Sequence, residues 1–413
     1  MKETAISLLS VLLLLGSAQG IFLALLLLRF KKGNLHANRW LACLLFLFSI
    51  TLIDGFLTET RYYLLFPHLI AVEWPLNLAI GPLLFLYVRS LTGLDAKGFR
   101  ISELSHFIPV IILYILLTPF YVIPPELKTT LWLESINETT ANPLYHIDPV
   151  LILIVLQVAV YWGISIKMIS RYAKRIKENF SDVETICLSW LRNLLIIFFI
   201  IFVIYLFTYM FSGFFGLYDK AEFFIHLVLA IIIYAMGIKG LSHPEIFTVF
   251  RASDAEGEGG QFKGDDSKPI EYDVKSSQKT ENEQGKKYQK SSLTDEQAMQ
   301  ILEKLSVIME NEKPFLETGL TLTGLANMLS ISPNHLSQVI NEKTGKSFFE
   351  FVNEYRVEEA KRLLVSPLVN RFSVLGIGME SGFSSKSAFY NAFKKHTGVT
   401  PSGYKDQYQQ QEV

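Results

Sequence analysis

Residues 1–250 are dominated by long runs of Leu, Ile, Phe and Tyr, whereas residues 251–413 mix apolar and polar positions as a water-soluble chain does. Seven apolar runs stand out, at roughly 5–28, 40–58, 69–89, 104–123, 149–169, 190–211 and 221–239. A helix needs about 20 apolar residues to cross the hydrocarbon layer of a bilayer. The pattern therefore predicts an all-α chain in which residues 1–245 form a polytopic membrane domain of about seven spans. Residues 246–292 are different in kind, holding Glu-Gly-Glu-Gly-Gly, Gly-Asp-Asp-Ser and a long mixture of Ser, Gln, Lys and Glu. So little apolar surface cannot offset the entropy of ordering, which predicts a flexible cytoplasmic linker; about 40 such residues typically reach about 35 Å.

Helical spacing begins at Thr294, where Met299, Leu302, Leu305 and Met309 mark one face of a helix that ends before Pro314. A short helix follows within 320–329, capped by Thr321 or Thr323, with Leu322, Leu325, Ala326 and Leu329 facing inward. After the turn Ser330-Ile331-Ser332-Pro333, Ser332 suits an N-cap and Pro333 the first helical position. The helix at 333–343 buries Leu336, Val339 and Ile340 and shows Asn334, Ser337, Gln338 and Asn341 outward. A short helix, a tight turn and a polar-faced second helix is the arrangement that places a helix in the DNA major groove.

The arrangement recurs with 372–380 as first helix, Ser381-Gly382-Phe383-Ser384-Ser385 as turn and 386–396 as second helix. Phe389 and Phe393 face inward there, while Lys386, Ser387, Tyr390, Asn391, Lys394 and Lys395 face outward; Gly398 ends the helix. Gly382 provides the positive φ that such a turn can demand. Between the two units, residues 348–365 carry Phe348, Phe351, Val352, Tyr355, Leu363 and Leu364 at helical spacing. That connecting helix would span about 27 Å, against about 34 Å for one turn of DNA, so both second helices can meet successive major grooves on one DNA face.

Composition adds little until it is divided. The 413 residues are 50% hydrophobic and 19% charged, with a net charge of −1 and a mean hydropathy of +0.31, but these average over two unlike halves. Residues 318–405 hold ten Lys/Arg against six Asp/Glu, a modest excess for a nucleic-acid binder. Cys43 and Cys187 are the two cysteines, which excludes a disulfide scaffold and a cysteine-rich zinc site. Neither a His-Glu-x-x-His pair nor a Walker-type glycine loop is present, so no catalytic residues, no metal and no cofactor are expected.

Charges in the loops give an orientation. With the amino terminus outside, the inner segments hold Arg29, Lys31, Lys32, Arg39, Arg89, Lys97, Arg100, Lys167, Arg171, Lys174, Arg175, Lys177 and Arg192. The outer ones hold only Lys2, Arg61, Lys128 and Lys220. Lys and Arg accumulate on the cytoplasmic side, and an odd number of spans then delivers the carboxyl-terminal half to the cytoplasm. The predicted location is the bacterial inner membrane, multi-pass. Gly16-Ser17-Ala18 resembles a signal-peptide cleavage site, but the apolar run continues to Leu28, which favours an uncleaved first span.

Ionisable residues within spans are costly and are functional candidates by default. Asp54, Glu73 and Asn77, beside the helix-bending Pro75 and Gly81-Pro82, are candidate sensing residues lining a cavity open to the outside. The bland alternative places both carboxylates at headgroup level and the prolines in packing. His106 and His226 lie near span ends, and Trp132, Tyr145 and His146 lie in the longest outer loop.

The last ~110 residues resemble the AraC/XylS family of transcription regulators. The likeness rests on Leu322-Thr323-Gly324-Leu325-Ala326, His335-Leu336-Ser337-Gln338-Val339-Ile340-Asn341 and the stretch from Tyr355 to Leu364. It continues through Gly382-Phe383-Ser384-Ser385-Lys386-Ser387-Ala388-Phe389, Phe393-Lys394-Lys395 and Gly398-Val399-Thr400-Pro401-Ser402-Gly403-Tyr404. The resemblance implies that the outward residues of both second helices touch base edges and phosphates, with Lys394 and Lys395 cast as phosphate contacts. Two departures stand out. Ile377-Gly378 replaces the usual Ile-Ala and follows Gly376, which predicts a soft helix at about 1 kcal/mol per glycine. Asn391 replaces a residue that is commonly basic.

The expected protein is a membrane-bound regulator that senses a ligand or envelope signal and binds double-stranded promoter DNA. Its further expected partners are the lipid bilayer, the transcription machinery and a second copy of itself. The alternatives are a receptor or transporter whose cytoplasmic tail docks a protein, and a membrane-embedded enzyme built on Asp54 and Glu73.

Overall fold

A computed structural model of the chain describes residues 7–29, 34–93, 101–138, 149–183, 187–215, 226–233, 235, 293–367 and 371–409. They divide into two compact units, one within Met1–Arg171 and Leu188–Gly260, the other within Tyr172–Cys187 and Gln261–Val413. All regular elements among the described residues are helical. The expected linker, Tyr145 and His146 lie outside the described residues, as does much of the run at 221–239.

In the first unit the leading pair is α1 (Leu8–Arg29) and α2 (Leu35–Glu59). Asn34 starts α2 by accepting hydrogen bonds from the His36 and Ala37 N–H groups. Small residues let the two backbones approach, as in membrane bundles. A Cβ at Gly20 would stand 2.2 Å from the Ser49 Oγ, and one at Gly16 would stand 3.1 Å from Leu52. The third apolar run is not one regular helix: a 3-10 turn at Trp74–Ala79 precedes α3 (Ile80–Leu91). Pro75 and Pro82 explain the change of pitch, because proline has no N–H to give and crowds the preceding turn. The fourth run is likewise divided, into a 3-10 stretch Ile101–Phe107, α4 (Ile108–Leu116) and α5 (Thr118–Val122).

Helix α6 (Pro125–Glu138), a long α7 (Pro149–Asn179) and α8 (Ser189–Phe215) follow. Among the described residues, four stretches are long and apolar enough to cross a membrane: Leu8–Arg29, Leu35–Glu59, Pro67–Leu91 and Ile152–Asn179. Ile101–Leu116 and Ser189–Ile204 are apolar but shorter.

In the second unit, α9 (Asp295–Asn311) opens with a capping box between Thr294 and Gln297. Its inward face runs through Ala298, Leu302, Leu305 and Met309, while Met299, about 100° round the helix from Ala298, is 59% exposed. Then come α10 (Leu322–Met328), α11 (Pro333–Thr344), α12 (Phe348–Leu364), α13 (Val374–Glu380), α14 (Lys386–Thr397) and α15 (Pro401–Gln409).

Two cores form. One gathers Leu305, Phe315, Leu322, Leu325, Leu336 and Ile340 around Phe348, Phe351 and Val352 from the first half of α12. The other gathers Ile377, Phe383, Phe389 and Phe393 around Val357, Ala360, Leu363 and Leu364 from its second half. One helix is thus a wall of both cores.

Candidate nucleic-acid interface

The pairs α10–α11 and α13–α14 are built alike down to the backbone. Thr321 caps α10 by accepting from the Gly324 N–H, and Ser373 caps α13 by accepting from that of Gly376. At the first turn, the Leu329, Ser330 and Ile331 N–H groups donate to the carbonyls of Leu325, Asn327 and Ala326. At the second, Ser381, Gly382 and Phe383 donate to Ile377, Met379 and Gly378. Each turn passes through one left-handed residue, Ser330 at φ 55° and Gly382 at φ 91°. Glycine is needed only at the second, where a Cβ would meet the Phe315 carbonyl oxygen at 2.3 Å. The following helices start on Ser332 and Ser385, whose hydroxyls accept from the His335 and Ala388 N–H groups. They end on Gly345 and Gly398 at φ 68° and 78°.

The pairing of positions explains the glycine-rich α13. Gly378 occupies the place that Ala326 holds in α10, while Phe389 and Phe393 stand where α11 has Leu336 and Ile340. A Cβ at Gly378 would lie 2.5 Å from the Phe389 ring, which is fully buried. The larger ring thus requires the smaller neighbour. Gly378 is a packing residue, not the sign of softness that the sequence suggests.

On α11, Asn334 is exposed, and Ser337 and Asn341 are half-buried, with the Asn341 amide donating to the Ser337 carbonyl at 2.8 Å. Gln338 differs from expectation, being 7% exposed with its amide donating to the Glu342 carboxylate at 3.1 Å. Charge holds it along its own helix, a relation invisible to an apolar-face count. On α14, Lys386, Ser387, Asn391, Lys394 and Lys395 are exposed and Tyr390 is half-buried, with the Lys386 ammonium 5.5 Å from the Tyr390 ring centre.

Lys395 also binds Glu350 at 2.7 Å, tying α14 to the capping box that starts α12. The hydrogen bond from Lys395, aided by Ser347 and opposed by burial, lowers the Glu350 carboxyl from 4.5 to about 2. A carboxyl lowered in the folded chain contributes stability that is complete above the ordinary value and is lost as pH falls. The advantage of the native chain over Glu350→Gln is therefore expected to shrink as pH drops from 4.5 towards 2, as read by amide exchange in α12. Glu350 is 38% exposed, so screening limits that advantage to about 1 kcal/mol.

Sequence reasoning missed Arg356, which is 1% exposed although it lies among helical charges. Its Nε donates to the Phe315 carbonyl at 2.7 Å and its Nη2 to the Glu317 carbonyl at 2.8 Å. Nη1 and Nη2 reach the Ser181 carbonyl and hydroxyl at 3.2 and 3.1 Å. The guanidinium also stands 6.0 Å from the Phe383 ring centre. Burial lowers it to about 10, with Asp182 acting in the opposite sense, so it is charged at neutral pH. Position 356 continues the inward face that Val352 and Phe348 mark at helical spacing, which is the signal that could have found it.

In the first unit, Asp54 accepts a hydrogen bond from the Tyr63 hydroxyl, and Glu73, 6% exposed, accepts one from Thr51 at 2.9 Å. Trp132 meets Tyr63 edge-on at 5.5 Å. Asn77 is half-buried in the 3-10 turn. His106 pairs with the Tyr161 hydroxyl at 2.8 Å, and His226 is buried with its ring 2.7 Å from where a Gly55 Cβ would be. These histidines are packed and partnered.

Residues 325–407 match the model of a helix-turn-helix domain family. Over 98 residues the chain is 36% identical to the HTH-type transcriptional regulator GlxA of Rhizobium meliloti (strain 1021), covering 24% of this chain and 29% of that protein. The Bacillus subtilis (strain 168) HTH-type transcriptional regulator YtdP is 34% identical over 91 residues, 22% of this chain and 11% of its own length. The chain thus spans less than a third of these relatives, and the likeness lies in one region. A solved structure of a Listeria innocua protein is 35% identical, with coverage of 26% of this chain and 96% of that one and a TM-score of 0.23. Matching motif, capped helix pairs and relatives agree on one assignment: the carboxyl-terminal part of this chain is a helix-turn-helix domain of the AraC type.

Proposed function

We propose that the protein is a membrane-embedded transcription regulator that grips promoter DNA with two helix-turn-helix units. The observation that carries this reading is the repeated turn geometry of α10–α11 and α13–α14 on one shared helix. Each pair presents a polar second helix, and α12, at about 25 Å for its length, suits two heads meeting successive major grooves about 34 Å apart. Asn334, Ser337, Asn341, Ser387, Tyr390 and Asn391 suit base edges, Gln338 joins them once it leaves Glu342, and Lys386, Lys394 and Lys395 suit phosphates.

Membrane residence is supported by apolar side chains that the fold leaves outside. Leu8, Leu15 and Phe22 of α1 are 79%, 60% and 62% exposed, and Ile115 and Leu116 of α4 are 65% and 68% exposed. Such surface is tolerated by lipid rather than water. The domain has about seven spans with the amino terminus outside the inner membrane and the carboxyl-terminal domain in the cytoplasm, joined by a linker at 246–292. Asp54, Glu73 and Asn77 belong to the sensing region, and Trp132 connects it to the outer loop through Tyr63. A second copy and the transcription machinery complete the set of partners.

The test is footprinting with the full-length protein in lipid nanodiscs. Two protected patches about one helical repeat apart are expected. Asn334→Ala is expected to cost about 1–3 kcal/mol and relax the sequence preference at one position, whereas Lys394→Ala weakens all sequences alike and reduces the salt slope by about 1. Absence of any sequence-selective protection would overturn the reading.

A further inference from the structure

The carboxyl-terminal unit includes a stretch borrowed from far earlier in the chain, residues Tyr172–Cys187. This stretch begins inside α7 and so continues without a break from the apolar segment Ile152–Asn179. After Asn179 the backbone extends. Phe180 forms an antiparallel bridge with Thr321, and both the N–H and the hydroxyl of Ser181 donate to the Leu320 carbonyl, at 3.2 and 2.7 Å. Phe180 and Ser181 are 7% and 1% exposed, and the Lys177 ammonium stands 6.0 Å from the Phe349 ring centre.

The place of attachment is specific. Thr321 is the cap that starts α10. Arg356, which gives two of its four hydrogen bonds to Ser181, gives another to the Phe315 carbonyl. That carbonyl oxygen is the atom against which Gly382 is packed in the turn of the second pair, and Phe383 of that turn lies beside the guanidinium. Ser181 therefore completes the set of contacts at the joint between the two helix-turn-helix pairs. The attachment is reversible in kind: when Ser181 leaves, its own polar groups, the Leu320 carbonyl and two arginine donors all regain water as partner.

We propose that residues 172–183 act as a latch on this joint, and that seating or releasing Phe180–Ser181 is how a change in the amino-terminal half alters DNA affinity. The inference rests on the DNA-binding reading above. It assigns transmission to the end of α7, a helix that carries displacement along its axis, rather than to the linker at 246–292. Such a latch regulates only if DNA binds the seated and released forms with different affinity.

The experiment uses the full-length protein in nanodiscs with Cys43→Ala and Cys187→Ser, to which Phe180→Cys and Thr321→Cys are added. Residues facing each other across an antiparallel bridge have Cα atoms about 4.5–5.5 Å apart, within disulfide reach. Oxidation is expected to close the bridge in most molecules, detected by a protease site placed in the linker: the carboxyl-terminal fragment then stays attached until reduced. The probe is a duplex selected by the wild-type protein from random sequences. Its affinity is expected to differ about 10-fold between the oxidised and reduced forms of the same preparation, in the range usual for coupled sites. Ser181→Pro, which removes both donors to Leu320, should shift affinity in the sense opposite to the closed bridge. Failure of the bridge to form, or equal affinities with it closed and open, overturns the latch. Loss of selective DNA binding in every form, wild type included, defeats instead the reading on which it rests.

Discussion

Phe389→Ala is expected to destabilise the carboxyl-terminal unit by about 3–5 kcal/mol and to reverse the sign of a second substitution, Gly378→Ala. Phe389 is fully buried and touches Phe383, Tyr390 and Phe393 at ring separations of 5.3–5.6 Å. In the native background a methyl at position 378 gains about 1 kcal/mol of helix propensity. It also drives a carbon to 2.5 Å from a ring that is enclosed on its other sides. Overpacking of that kind costs about 1–3 kcal/mol, so Gly378→Ala alone should destabilise. Once the ring is removed the overlap vanishes and the same change should stabilise by about 1 kcal/mol. Amide exchange of α13 and α14 in the full chain reads both values. If Gly378→Ala stabilises with Phe389 in place, the packing account of this glycine is wrong.

Arg356→Met is expected to be nearly as damaging and to abolish DNA binding with it. The substitution keeps the length of an apolar stem but leaves the carbonyls of Phe315, Glu317 and Ser181 without their arginine donors. The Phe315 and Ser181 carbonyls are then orphaned at about 1–3 kcal/mol each, while that of Glu317 keeps the Leu320 N–H at 3.3 Å, which sets the expected loss at about 2 kcal/mol or more. Arg356→Lys should recover only part, because one ammonium cannot reach oxygens arrayed around a planar guanidinium. Exchange protection in α10 and α13 should fall together, since both helices lean on contacts at this joint. Protection retained at native level in Arg356→Met would mean that water replaces the lost donors at little cost.

What the sequence discloses and what it hides follow from the range of the interactions concerned. The cap at Ser332, the stop at Gly398 and the inward Leu336, Phe389 and Phe393 are local features, and each stands where spacing placed it. The third and fourth apolar runs show the opposite case. Their apolar length was plain, but Pro75, Pro82, Pro109 and Pro119 divide the backbone into shorter helices and 3-10 turns, and hydropathy does not register pitch. Gln338 and Arg356 were hidden for a different reason: a polar side chain is buried only by partners, Glu342 for one and Phe315, Glu317 and Ser181 for the other. The last of these partners lies 175 residues away in the chain, beyond the reach of any periodicity. Gly378 was visible as a departure from the family pattern, yet its reason required the repeat-related exchange of Leu336 for Phe389 to be seen in space.

The shared helix α12 has a consequence for how target sites can diverge. A rod whose two ends are built into separate hydrophobic interiors fixes a ruler length inside one polypeptide. Adding a single residue to that rod would turn everything beyond it by about 100°, wrecking one interior or the other. On the proposed two-headed reading, the distance and phase between two sub-sites in an operator would be inherited from the domain itself, leaving base identity as the feature free to drift.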